Sequence, residues 1–338
     1  MGGSRRVVLV CPGRGAYTSA SLGSLAAEHP LVMRAEELRA PYGLELLADL
    51  DGAGTFEPAR HLRPSNAAPL IFLSTLLDVE TAVGDHDPVA VVGNSLGWYS
   101  ALAVSGALGF DDAFRLVQQM ALLQEEPLPE DGPGGQVIYP LTDADWQPDA
   151  ERQAAVAEVL SNGAAPHVFE SVELGAYAVL AGDEGGVQRL LRGLPPVQAG
   201  DRRFPLRLAL HGPYHTPLVA RVAEAAAQAL AGLDWERPTV TLVDGRGAQW
   251  SPWSTDTRAL AAYTLGEQVT TPYRFATSVR VALREHAPDL LVLPGPGNSL
   301  GGICAQIVVR EGYRGITTRA AFEEVQASAT PVLLSMRR

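Results

Sequence analysis

Ser95 stands between two glycines in Gly93-Asn94-Ser95-Leu96-Gly97, directly after the apolar run Pro88-Val89-Ala90-Val91-Val92 and before Trp98-Tyr99-Ser100-Ala101-Leu102. A buried strand, a sharp turn and a helix that starts at the serine would lift the hydroxyl clear of a sheet. The flanking glycines would leave room for backbone and substrate. A helix N-terminus at the serine would also turn unpaired amides and the positive end of a dipole toward a developing oxyanion. Gly-x-Ser-x-Gly in isolation is often only a strand-to-helix connection. The apolar run and the helical pattern around it make Ser95 the candidate nucleophile.

A serine nucleophile needs a base, and seven histidines are available. Most lie in loops or beside charges, where a solvated ring is the ordinary reading. His211 and His215 share the spacing of a helical metal pair, but Gly212-Pro213 between them breaks the helix, so no metal site is expected. His215 is the favoured base. A strand at 206–210 is expected to lead into its turn, His211-Gly212-Pro213-Tyr214-His215, and to expose its ring on the sheet edge that carries Ser95.

Bringing Ser95 and His215 together requires a parallel α/β sheet. Strand patterns at 7–10, 88–92, 239–243 and 290–293 alternate with helical patterns at 69–83, 111–126, 218–231 and 273–285, with Asp111 or Asp112 expected to cap the second helix. Three strands end in Gly-rich turns: Pro12-Gly13-Arg14-Gly15, the elbow at Ser95, and Gly295-Pro296-Gly297-Asn298-Ser299-Leu300-Gly301. In a parallel sheet such ends gather on one edge, where ligands bind. The first turn is no dinucleotide loop, because Thr18 stands where the third glycine is needed. A Pro/Gly-rich run at 127–135 marks a boundary, and 136–208 reads as strand, helix, two strands, helix, strand, the ferredoxin-like order. The expected organisation is a catalytic body at 1–130 and 205–338 with an inserted lobe at 131–204.

Composition limits the function. The 338 residues are 46% hydrophobic and 19% charged, as in a globular enzyme, and the net charge of −12 argues against nucleic-acid binding. No apolar run approaches the ~20 residues of a membrane helix, and the N-terminus lacks the apolar stretch of a secretory signal, so a cytoplasmic location is expected. Cys11 and Cys304 read as buried reduced thiols. The chain has no lysine; all 26 basic residues are arginine. That excludes a P-loop lysine, a pyridoxal Schiff base and a lysine general base.

The segment from Gly93 through Leu102 resembles the nucleophile motif of malonyl-CoA:acyl carrier protein transacylases and polyketide synthase acyltransferases. Pro12-Gly13-Arg14-Gly15 resembles their Pro-Gly-Gln-Gly loop, and Pro213-Tyr214-His215 their catalytic histidine turn. Gln268 followed by Thr271-Pro272-Tyr273-Arg274-Phe275 is similar to their Gln-x-x-x-Pro-Val-x-Trp segment, and Gly295-Pro296-Gly297 to their last glycine turn. The resemblance implies an α/β-hydrolase-like body with a ferredoxin-like insertion. It also implies Ser95 as nucleophile, His215 as general base and acid, and the backbone amides of Arg14 and Leu96 as oxyanion hole. Gln268 would orient His215 through its backbone carbonyl. No cofactor is implied beyond the phosphopantetheine of CoA or of an acyl carrier protein, which carries the acyl group into a ping-pong reaction. The implied partner is an acyl carrier protein or a polyketide synthase loading module. Such carriers are acidic, and Arg152, Arg202, Arg203 and Arg207 are the expected docking residues.

Departures from the family pattern bear on the substrate. Malonyl-type members carry an arginine on the helix after the elbow that pairs with the free carboxylate; here Met120 aligns with it. Arg115 lies roughly 140° around that helix and cannot substitute. Asn94 replaces a common histidine, Trp98 an acidic residue, and Tyr214 fits neither usual motif before the histidine. These four residues are the expected substrate pocket, and the expected acyl group is not malonyl. Two other readings stand beside it: an editing acyl hydrolase using the same Ser95 and His215, and a malonyl-type transacylase in which another arginine reaches in. A catalytically retired docking module is disfavoured by the retained serine and histidine.

Overall fold

A computed structural model describes residues 4–125, 134–161 and 167–337. β1 (Arg5–Cys11) and β2 (His86–Gly93) begin a six-stranded main sheet, and β3 (Gly135–Pro140), β4 (Val168–Glu173) and β5 (Tyr177–Gly182) begin a four-stranded one. β6 (Val197–Ala199) and β7 (Arg202–Phe204) pair as a ribbon, and β8 (Leu206–Arg207) returns to the small sheet. β9 (Thr241–Val243), β10 (Gln249–Trp250), β11 (Leu290–Leu293) and β12 (Leu333–Ser335) complete the main sheet.

The main sheet runs β10-β9-β2-β1-β11-β12 and is parallel except for the β9–β10 hairpin. Its inner strands are apolar on both faces, as a sheet covered by helices on both sides must be. Val7, Leu9 and Cys11 point to one face, with α1 (Pro64–Asp85), α2 (Gly97–Val104) and α3 (Phe110–Leu123). Val8 and Val10 point to the other, with helices Phe275–His286 and Gly301–Arg310. The period-two alternation of a strand is what divides the two cores.

α1 is longer than the sequence pattern indicates. Its 22 residues, with a mean hydropathy of 1.4 over the most apolar window, are long and apolar enough to cross a membrane, yet 72% of that window is buried inside this fold. It is a core helix that starts at Pro64, an ordinary first-turn proline. Pro69, where the pattern reading begins, lies inside it. A proline there supplies no N–H to the carbonyl four residues back, and Ser65 O instead accepts from Arg39 Nη1 (2.6 Å) and Gln118 Nε2 (3.3 Å). α3 is capped by Gly109 rather than by an aspartate. Asp111 and Asp112 pair instead with Arg34 and Arg115. Residue 126, the expected end of that helix, lies outside the described residues.

The small sheet is antiparallel in the order β4-β5-β3-β8, the spatial order of a ferredoxin-like motif. Val137, Tyr139 and Leu180 pack on Val156, Val159, Val187 and Leu190 of its two helices, Ala150–Ser161 and Glu184–Gly193. β8 pairs with β3, so Leu206–Arg207 belongs to this sheet and not to the body, just beyond the boundary expected at 204. The other expected boundary, at 131, lies outside the described residues.

Candidate functional site

Parallel pairing brings the ends of β1 and β2 into register, Cys11 beside Gly93, and Asn94 N donates to Cys11 O (3.0 Å). The elbow is tight enough to need its glycines. A Cβ at Gly97 would lie 2.2 Å from Cys11 O, and one at Gly93 would lie 2.2 Å from the Gly97 carbonyl carbon. α2 starts at Gly97 and not at the serine. Ser95 sits two residues earlier with φ of 54°, a left-handed conformation that is strained for a non-glycine residue.

His215 is also left-handed, with φ of 60°. Among the described residues no strand of the main sheet leads into it; the strand before it, β8, belongs to the small sheet. Its amide donates to Val269 O (2.8 Å), and Thr216 Oγ1 closes the turn onto Pro213 O (2.6 Å). Ser95 Oγ lies 2.7 Å from His215 Nε2, and His215 Nδ1 lies 2.7 Å from Gln268 O. A carbonyl can only accept, so Nδ1 carries the proton and Nε2 is free to accept one from the serine. The ring is 2% exposed, and burial lowers its pKa to about 4, with the Gln268 carbonyl opposing the shift only in part.

Gln268 does more than hold the imidazole. Its Oε1 accepts from Tyr99 OH (3.1 Å) and its Nε2 donates to Ser95 O (3.2 Å), so one residue ties the histidine turn to the elbow. Tyr273 completes the support: its ring centroid is 5.3 Å from that of His215, and its hydroxyl donates to Gly93 O (2.6 Å). Among the described residues, the amides of Arg14 and Leu96 donate to no protein acceptor.

A cavity of about 420 Å³ opens on this group. Arg14, Asn94, Ser95, Leu96, Tyr214, His215 and Gln268 all line it. Met120 and Trp98 do not. Met120 is 1% exposed within the main core, and Trp98 is fully buried with Nε1 on Thr264 Oγ1 (2.9 Å). One helical turn beyond Met120, Gln124 reaches the lining. Sequence reasoning also missed Tyr99, His211 and the small-sheet wall of Ile138, Val172 and Val179. The signals existed: Tyr99 follows Ser95 by four residues, and Ile138 and Val179 alternate with the core-facing positions of β3 and β5.

Of the arginines expected to dock a carrier, Arg152 is paired with Asp149 and Arg207 with Glu184. Arg202 and Arg203 are exposed and, among the described residues, make no side-chain hydrogen bond or ion pair. Arg202 lines the cavity.

No family model matches the chain. The malonyl CoA-acyl carrier protein transacylase of Salmonella typhimurium is 30% identical over 300 residues, covering 88% of this chain and 92% of that protein. A type II polyketide synthase acyl-carrier protein in complex with its malonyl-transacylase gives a structural match with TM-score 0.73 at 22% identity, over 99% of this chain and 96% of that one. The acyltransferase domain from the second module of the salinomycin polyketide synthase matches with TM-score 0.69 at 24% identity, over 99% of this chain and 69% of that one.

Proposed function

The chain belongs to the family of malonyl-CoA:acyl carrier protein transacylases and related polyketide synthase acyltransferases, and on that premise we propose that it transfers an acyl group between thioester carriers through an acyl-Ser95 intermediate. The observation that carries this reading is the relay from Ser95 Oγ to His215 Nε2 and from His215 Nδ1 to the Gln268 carbonyl, each 2.7 Å. Ser95 Oγ attacks the thioester carbonyl as His215 takes its proton. The amides of Arg14 and Leu96 receive the oxyanion, and collapse expels the thiolate, which regains the proton from His215. The phosphopantetheine thiol of an acyl carrier protein then runs the same steps in reverse. The exposed Arg202 and Arg203 support docking of an acidic carrier.

For the acyl group we retain the non-malonyl reading. Met120 supplies no cation where malonyl-type members have one, and the small sheet adds an apolar wall of Ile138, Val172 and Val179, which supports a chain longer than malonyl. One observation favours a second feature of that substrate: Arg14 lines the same cavity, and its guanidinium donates to Gln124, which lines it too.

The test is incubation with a panel of acyl-CoA thioesters, intact-mass detection of the adduct and peptide mapping, followed by addition of holo acyl carrier protein. A label on Ser95 that moves to the carrier is expected. A label on Cys11 or on another serine overturns the site, and release to water with no transfer to the carrier makes the protein a hydrolase.

A further inference from the structure

Resting on the acyl-transfer reading of this cavity, we propose that the Arg14 guanidinium pairs with a carboxylate on the acyl group, so that the enzyme selects acyl thioesters with an anionic terminus. The side chain donates through Nη1 to Gln124 Oε1 (2.7 Å) and through Nη2 to Leu210 O. Both acceptors are neutral. The nearby carboxylate, Glu125, is taken by Arg63 (2.6 Å) and by the Ser65 amide (2.6 Å). Among the described residues Arg14 is therefore a half-buried cation with no counter-ion in contact, an arrangement that an anionic ligand would complete.

Burial lowers the Arg14 pKa to about 10, which leaves it fully charged near neutrality. Two of its five donors are used, and the rest remain for an anion. Tyr214 and His211 line the same cavity, and among the described residues the Tyr214 hydroxyl and His211 Nε2 have no hydrogen-bond partner. Burial first, and then the charge of Arg14, hold His211 down at about 3, so its ring stays neutral and adds no competing charge.

The position of the guanidinium explains how a chain with Met120 can still recognise a carboxylate. Arg14 reaches Gln124, the C-cap of α3, one helical turn beyond Met120. The cation has been supplied from the loop after β1 instead of from the helix. Where the resembling family motif has glutamine, the longer charged side chain leaves the backbone amide in place and adds a recognition group to the same cavity.

The experiment measures kcat/KM for loading of Ser95 from malonyl-, succinyl- and glutaryl-CoA against butyryl- and hexanoyl-CoA, in the wild type, Arg14→Gln and Arg14→Lys. The wild type should prefer carboxylated acyl groups by at least ~10-fold. Arg14→Gln should lower the ratio of carboxylated to neutral loading by about 10-fold or more, a selectivity change that a folding defect does not produce. Arg14→Lys should recover part of the loss, and it serves as the readout if the glutamine variant does not fold. Equal loading of neutral and carboxylated groups, or an unchanged ratio in both variants, overturns the role of Arg14 and leaves acyl transfer standing. Malonyl as the best substrate would overturn the longer-chain reading alone, and no adduct from any thioester would overturn acyl transfer itself.

Discussion

Acidification tests His215 in a way no truncation does, because it leaves every atom in place. The ring faces Ser95, the Gln268 carbonyl and the Tyr273 ring, none of which is charged, and burial sets its pKa at about 4 in place of 6.5. The neutral ring is the form that takes the serine proton, so the loading rate should follow the neutral fraction. With the buried value, about 90% of the imidazole is neutral at pH 5, whereas an ordinary histidine would be only about 3% neutral there, a ~30-fold difference in rate. Quenched-flow loading from an acyl-CoA, read by intact mass from about pH 4.5 to pH 8, measures it. A loading rate that halves near pH 6.5 would refute the reasoning.

The same burial has a consequence for stability. Below pH 6.5 the unfolded chain binds a proton at this residue that the native state refuses until about pH 4. The contribution is complete above the unfolded value and is lost as pH falls through that window, at about 1.4 kcal/mol per pH unit and ~3 kcal/mol in all. Denaturant titrations across that range should show the decline. His215→Gln should reduce it, leaving the slopes of His211 and His286, whose pKa values burial also lowers.

His215→Ala should slow acyl-Ser95 formation by about 10²–10⁴-fold, the usual loss on removal of a general base, in the same mass assay; an undiminished rate would assign the base elsewhere. Ser95→Gly should be more stable than Ser95→Ala by about 1 kcal/mol, because only glycine adopts the elbow's left-handed conformation without strain, and chemical denaturation of the two variants decides it. Transfer to an acyl carrier protein should weaken as salt rises, since exposed charge pairs are screened beyond ~10 Å at 0.1 M, and Arg203→Ala should raise KM for the carrier without changing loading from CoA. A transfer rate that is flat with salt would count against docking through these arginines.

The proximity of Ser95 and His215 was legible because the signals that make it are local. Apolar runs define β1, β2 and β11, glycine chemistry ends each of them in a turn, and parallel strands collect such turns on one edge. The succession of strand, helix, two strands, helix and strand across 136–208 likewise pointed to the small sheet's ferredoxin-like order. Partner choice and side-chain direction were not local. Whether 206–207 joins the body or the small sheet depends on β3, some seventy residues earlier. Met120 and Trp98 are adjacent to the site in sequence terms, yet both side chains point into the main core, because the rotation of α2 and α3 is set by which face packs against the sheet. Arg14 shows the converse. Its place in the loop suggested only a backbone amide, and its side chain was tied to the cavity-lining Gln124 once folding brought Gln124 and Leu210 within its reach. Sequence periodicity specifies which residues an element can bury; the packing of one element on another selects which of the remaining side chains meet the substrate.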